Sequence, residues 1–328
     1  MNKRERLEAA IRGQAVDRLP VALWRHFPGD DQRPEDLAAA TVAWQKRWDF
    51  DFVKVTPASS FCLRDWGVED EWRGNIEGTR DYTRRAIHSP DDWRSLRPLD
   101  PRAGHLGAQL RCLELIRAEL PDAPIVQTVF NPLAQAKNLV GSELVAMLRA
   151  HPRQVHRGLE TIAATTIDFI RAAKAIGIDG IFLAVQHASS HLMSEDEYRA
   201  FGAAYDARLL AECGDLWLNV IHLHGAPIYF DLLADYRVQV WNWHDRETPP
   251  DLRQAAHRVR GAVCGGIARD TTLLRGSPAD VRAEVLDAVA QTGGRRLIIG
   301  TGCVTLIPSP ESNLRAAHDA VQSARSAT

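Results

Sequence analysis

Apolar positions along this chain fall into short runs that alternate with amphipathic stretches. Residues 3–12 place Leu7, Ala10 and Ile11 on one stripe at helical spacing, with Gly13 where a C-cap sits. VALW follows as a first predicted strand, ending near Arg25 and His26. A helix over about 35–48 precedes DFVKVTP, a second strand with β-branched residues and a proline stop. Residues 60–100 are irregular and rich in Trp and Arg, and the SPDDW pattern predicts a short helix near 90–96. From residue 105 the order is regular: a helix over about 104–119, the strand APIVQTVFNP, helices over 133–149 and 152–176, and the strand IDGIFLAVQ. A helix over 194–213 opens on Ser194-Glu195-Asp196-Glu197, a capping box. The last four predicted strands are LWLNVIHLHG, VQVWNWH, AVCGGI and LIIGTGC, with helices near 250–260, 278–292 and 311–325.

Eight apolar runs alternating with helices imply parallel strands joined by right-handed crossovers, and closing eight such units gives a (β/α)8 TIM barrel. An open doubly wound sheet is the alternative. The barrel is preferred because reactive side chains collect at the carboxyl ends of the runs: His26, Gln186, His187, His222, His224, His244 and Cys303. On a barrel these ends meet at one mouth, where such enzymes place their chemistry. A chain of 328 residues without a Ser/Gly-rich linker, a long charge block or a fixed-period repeat is expected to be a single domain, 1–328.

The sharpest chemical feature is LWLNVIHLHG. In a strand, residues i and i+2 share a face, so His222 and His224 project together from its carboxyl end. Two imidazoles with the thiolate of Cys303 make a zinc-like ligand set. The plain alternative is that His222 caps a buried strand while Cys303 fills core space among glycines. His244 and Asp245 are candidate catalytic residues that offer a fourth ligand or a carboxylate behind a metal-bound imidazole, unless Asp245 only opens the next turn and pairs with Arg246. Trp241 and Trp243 alternate with Asn242, so one set faces the barrel and the other the helices. Cys264 reads as core rather than ligand.

A formal net charge of −2 argues against a nucleic-acid surface. Five scattered cysteines do not form a disulfide framework, which fits a reducing cytoplasm. MNKRERLEAAIRG is charged rather than an export signal, and no apolar run approaches the ~18–20 residues that span a bilayer.

ERLEAAIRG with DRLPV, SPDDW with LDP, GIDGIFLA with LMSEDEY, then HLHG, WHDR, CGGI, and GTGC with PSPESNLRA follow one another in an order that resembles the uroporphyrinogen decarboxylase superfamily. That superfamily includes true decarboxylases and zinc-dependent corrinoid:thiol methyltransferases. The resemblance covers nearly the whole chain and implies a single (β/α)8 barrel, commonly dimeric. Decarboxylases carry a Gly-flanked arginine pair after the first strand, where LWRHFPGD has Arg25 alone. Their aspartate after the second strand has no counterpart in DFVKVTPASS, their tyrosine after the third falls near Asn138, and their final histidine is replaced by Cys303. The methyltransferase branch, with His-x-Cys-Gly on the fifth strand and a Cys after the eighth, matches His222 and Cys303. His224 stands where the middle Cys would be. Two imidazoles and one thiolate leave Zn2+ at +1, so a bound thiolate is a poorer nucleophile and a bound water more acidic.

The resemblance thus implies a zinc-dependent methyltransferase or demethylase of a small-molecule substrate, its donor a methyl-corrinoid carried on a separate corrinoid protein. It also implies His187 as an acid–base group, and Arg25, His26, Gln186 and Asn138 as substrate contacts, with Arg25 clamping a carboxylate or phosphate. The alternative is a metal-independent decarboxylase that holds a carboxylated substrate through Arg25 and Arg269.

Overall fold

The structure, a computed structural model, describes residues 1–323. Residues 324–325 of the last predicted helix and the end of the predicted domain lie outside the described residues. Nine strands occur among the described residues: β1 (Val53–Val55), β2 (Glu69–Glu71), β3 (Asp81–Arg84), β4 (Ile125–Phe130), β5 (Gly180–Val185), β6 (Val220–Leu223), β7 (Val240–Trp243), β8 (Ala262–Ile267) and β9 (Leu297–Thr301). β1 and β4 to β9 pair in that order as one parallel sheet of seven strands. Helices lie between successive strands, as parallel pairing requires.

The predicted first strand is present as a single bridge. Val21 pairs with Ile299 in parallel, Ala22 N–H donates to the Ile299 carbonyl at 2.9 Å, and Asp51 N–H donates to the Val21 carbonyl at 2.9 Å. The segment therefore lies between β9 and the approach to β1. It does not continue as a ladder, because the Leu23 carbonyl accepts the Trp44 indole N–H at 3.0 Å and the Trp24 carbonyl accepts Thr305 N–H at 2.8 Å. A loop and a helix use groups that a neighbouring strand would have needed.

Asp51 fixes this seam. Its carboxylate is fully buried and accepts from Arg6 Nη1 at 2.8 Å, Arg18 Nη1 at 2.7 Å and Val21 N–H at 2.8 Å. One side chain thus ties the helix Lys3–Ile11 and the Val21 segment to the entry of β1.

Alternation along the strands divides the core in two. Phe52, Val126, Phe182, Val220, Val240 and Ile298 fill the inside of the curled sheet, and their sequence neighbours pack outward beneath the helices. On β7 the tryptophans face the helices, with Trp241 Nε1 donating to the Leu233 carbonyl and Trp243 Nε1 to that of Pro250. Asn242 is left on the inner face, and Cys264 belongs to the same interior packing.

Other differences from the expected elements are local. The helix expected over 133–149 is two, Pro132–Val140 and Leu144–Ala150, parted at Gly141, whose φ of 98° suits glycine. The irregular stretch after β1 contains the antiparallel β2–β3 ribbon. Asp245, expected as a catalytic group or a carboxylate behind a metal histidine, is directed elsewhere. Its Oδ2 accepts Gly266 N–H at 3.0 Å, and a Cβ on Gly265 would stand 2.4 Å from its Oδ1, so the carboxylate occupies space that only a glycine strand leaves open. Arg246 Nε is 3.9 Å away. Burial pushes this carboxyl up to about 7.

Replacing Asp51 by Ala removes a buried acceptor shared by Arg6, Arg18 and Val21 N–H, though Arg6 keeps Asp17, with an expected loss of about 2–3 kcal/mol in urea unfolding. A loss below about 1 kcal/mol would show that the network is not a fold determinant. Asp245 titrates in the fold above its unfolded value of 3.8, so its contribution to stability is complete below that value and is lost as pH rises through about 7. Asp245→Asn is expected to flatten this decline in unfolding measured from pH 4 to 8, and an unchanged profile would contradict the assignment.

Candidate metal centre

Three strand ends converge inside the mouth. His222 on β6 is in register with Ala184 on β5 and Asn242 on β7, so its ring and the Asn242 amide share the inner face. The Asn242 Nδ2 group donates to the carbonyls of Cys264 at 2.8 Å and Thr301 at 2.9 Å, which leaves Oδ1 as the acceptor facing His222 Nδ1 at 2.7 Å. His222 must therefore carry its proton on Nδ1 and present the Nε2 lone pair to the cavity.

His224 leaves the sheet one step later, its N–H donating to the Val185 carbonyl at 2.8 Å. Its Nδ1 lies 3.4 Å from Nε2 of His244, the residue that follows β7. The chain then turns back, with the N–H groups of Glu247 and Thr248 donating to the His244 carbonyl. This turn brings Glu247 Oε2 to 3.2 Å from His244 Nδ1. The carboxylate behind a histidine is thus that of Glu247, not Asp245.

Cys303 arrives two residues after β9. A Cβ on Gly302 would meet His244 Cα at 2.6 Å and the Trp243 carbonyl oxygen at 2.7 Å. Only glycine lets the end of β9 press on the end of β7, and that approach delivers the sulfur to the imidazoles.

One ligand atom each from His222, His224, His244 and Cys303 lies within 4.8 Å of all the others. Tetrahedral zinc with Zn–N near 2.0 Å and Zn–S near 2.3 Å sets ligand atoms roughly 3.3–3.6 Å apart, a spacing these rings reach by small rotations. Three imidazoles and one thiolate also suit zinc chemically, with two rings already oriented by outer partners. Burial alone would raise the Cys303 thiol, but the neighbouring imidazoles, His222 first, hold it well below its ordinary value. Burial lowers His222. At His244 burial also acts downward, but Cys303 and Glu247 outweigh it and the ring is raised.

His222, His224 and Cys303 border a cavity of about 90 Å3 whose walls include Trp24, Phe130 and Phe182, and His244 lies behind them. His26 and Gln186, expected as substrate contacts, line it. Burial and the charges of Lys54 and Arg80 push His26 down to about 3, and its Nδ1 has no partner among the described residues. His187 is buried just behind, lowered to about 4 by burial and by Lys137 and His224, with Nδ1 also unpaired. Two expected contacts do not reach the wall: the Arg25 guanidinium lies over the rings of Phe27 and Trp44, and Asn138 is buried in the helix Pro132–Val140, its carbonyl accepting from Arg85 at 2.7 Å. Arg269 is bound to Glu77 at 2.6 Å.

Sequence reading passed over three members of this site. Asn242 was half visible, since the Trp-Asn-Trp alternation isolates it on one face. Glu247 depends on a turn that no pattern announces. Lys54 had a clear signal: in Val53-Lys54-Val55 the valines face the helices, so the lysine must point into the sheet interior, where it is 8% exposed.

Among solved structures, a methyltransferase from Methanosarcina mazei superposes with a TM-score of 0.85 at 20% identity, covering 98% of both chains. In sequence, the chain is 22% identical to a methylcobamide:CoM methyltransferase from Methanosarcina acetivorans over 93% of its own length and 94% of that protein. It is 29% identical to a uroporphyrinogen decarboxylase from Rhodococcus opacus, over 45% of its length and 42% of that enzyme. The model of the uroporphyrinogen decarboxylase (URO-D) family matches residues 2–324, and the chain belongs to that family.

Proposed function

We propose that this protein is a zinc-dependent methyltransferase that takes its methyl group from a methyl-corrinoid carried by a separate protein. The observation that carries the reading is the convergence of His222, His224, His244 and Cys303 on one point at the cavity wall. Near full-length similarity to a methylcobamide:CoM methyltransferase supports the donor class. In this reading the seven-stranded sheet and the Val21 segment together form the closed (β/α)8 barrel of the family.

A zinc ion held by these side chains would act as a Lewis acid that binds and activates the acceptor. The protein's own part is orientation and exclusion. Asn242 fixes the His222 tautomer, and Glu247 polarises His244 from outside. Trp24, Phe130 and Phe182 keep the cavity wall apolar, which strengthens every charge interaction inside it. His187, neutral and with an unpaired Nδ1 behind the wall, would move a proton, and Gln186 and His26 would offer neutral polar contacts to substrate. Catalytic zinc sites keep one position for substrate. His222, His224 and Cys303 are therefore assigned as permanent holders and His244 as the exchangeable fourth.

Elemental analysis of the purified protein is expected to find about one zinc per chain. Cys303→Ser and His222→Ala should lose it, and His244→Ala should keep it, with Glu247→Ala weakening it in chelator competition by no more than His244→Ala does. Zinc that stays stoichiometric in both Cys303→Ser and His222→Ala would remove the site. With methylcobalamin as donor and a thiol as acceptor, the zinc-loaded protein should demethylate the corrinoid, and dipicolinate should abolish the reaction. Decarboxylation of a carboxylated substrate that survives the chelator would favour the metal-independent alternative.

A further inference from the structure

The inner cavity is small for the reaction assigned to it. Its space of about 90 Å3 lies against His222, His224 and Cys303, and a corrin macrocycle is far larger than that. It is roofed by the tip of the β2–β3 ribbon, residues 72–79, which contributes Glu77 and Thr79 to the wall. Beyond the tip is an outer hollow of about 500 Å3, whose walls include Ile76, Glu77, Glu247, Arg269 and Leu306. Among the described residues Glu77 alone borders both, so its side chain separates the inner space from the outer one.

The ribbon is firm at its base and loosely held at its tip. Arg80 donates to Asp31 at 2.7 Å and to the Pro28 carbonyl at 2.8 Å, and Arg64 holds Asp70 at 2.6 Å. Within the tip, the Asn75 carbonyl accepts from Trp72 Nε1 at 3.0 Å and from Gly78 N–H at 3.0 Å, and Asn75 Oδ1 accepts Glu77 N–H at 2.7 Å. These bonds stay inside the turn and would travel with it. Gly78, at φ 79°, lets the tip lie against His26, where a Cβ would stand 2.6 Å from that of the histidine. Ile76 is 49% exposed and Trp72 40%, so little apolar area holds the tip down.

Two polar contacts tie the tip to the rest of the chain among the described residues. Ile307 N–H donates to the Ile76 carbonyl at 2.8 Å, and Arg269 Nη2 lies 2.6 Å from Glu77 Oε1. Arg269 opens the segment that follows β8, so the ion pair joins the ribbon to the far end of the sheet. Cys303 and Glu247 also act on this guanidinium, yet its Nη1 is buried with no hydrogen-bond partner. Water would fill that donor on opening, which offsets part of the cost of parting the pair.

We propose that residues 72–79 form a strap that closes the metal centre, latched by Glu77 to Arg269, and that release of this pair joins the inner cavity to the outer hollow so that a protein-borne methyl donor can reach the acceptor. The inference rests on the proposed function for the identity of the visitor, but the strap itself follows from Glu77, Arg269 and the two hollows. Glu77 and Arg269 are positioning residues: they govern when the centre is open and take no part in the transfer.

Access to Cys303 reports the strap without metal or turnover, because Cys303 is partly exposed while Cys62, Cys112, Cys213 and Cys264 are buried. The full chain, freed of metal with dipicolinate, is treated with iodoacetamide or with N-(1-pyrenyl)iodoacetamide, which share a reactive group and differ in bulk. Labelling of each cysteine is followed by peptide mass spectrometry. Glu77→Gln and Arg269→Gln should each speed pyrene labelling of Cys303 at least about tenfold, with the iodoacetamide rate kept within about threefold of wild type. Reversing both charges, Glu77→Arg with Arg269→Glu, should bring the pyrene rate back toward wild type. Hydrogen exchange of residues 72–79 should rise in the two single variants, with that of β5 unchanged. Equal pyrene labelling in the wild type and either single variant overturns the proposal. So does a wild type that takes both reagents alike, or a Cys303 closed to both in the single variants. Zinc content of the purified protein decides the metal reading separately, so either reading can fail alone.

Discussion

The amide of Asn242 holds the floor of this site together. It is fully buried, and its three bonds reach His222 on β6, the Cys264 carbonyl on β8 and the Thr301 carbonyl at the end of β9. A buried amide left with an unfilled donor or acceptor is costly, so the four strands it touches have one relative arrangement that satisfies it. That arrangement sets the tautomer of His222 and the position from which Cys303 departs. The cluster of His222, His224, His244 and Cys303 is therefore a consequence of how β6 to β9 are locked and not of flexible loops alone, which is the condition under which side chains could hold a metal to a fraction of an ångström.

Charge follows from the same packing. An isolated thiol at this depth would remain protonated, yet three imidazoles lower Cys303 far enough for it to serve as an anionic ligand. Two of the imidazoles are in turn settled by something outside the centre: His222 by a neutral amide, His244 by the half-exposed carboxylate of Glu247. With a divalent metal bound, the imidazole of His224 in place of a thiolate would make the centre more positive than a two-thiolate set.

Close contacts redirected two side chains. Asp245 follows His244 directly, so it looked like a natural companion for the imidazoles, but the two glycines of β8 open a slot that draws its carboxylate into the strand backbone. Arg25, next to His26, lies flat on Phe27 and Trp44, where stacking and partial desolvation replace a role as an anion clamp. Adjacent residues in extended chain point to opposite sides, and only one of each pair can face the cavity.

Periodicity by itself determined the alternation of strands and helices, their parallel order from β4 onward, and the pairing of His222 with His224 on one face, because residues two apart in a strand share a side whatever surrounds them. It also carried the inward placement of Lys54, although the apolar neighbours hid that signal. Tertiary structure alone decided the rest. The first strand shrank to one bridge because Trp44 and Thr305 took its carbonyls. His244 and Glu247 joined the centre through a turn, and Cys303 reached it through a contact across strands at Gly302. Those outcomes depend on which backbones lie within a few ångströms of each other, and residues far apart in the chain acquire that relation only when the sheet curls and its ends meet.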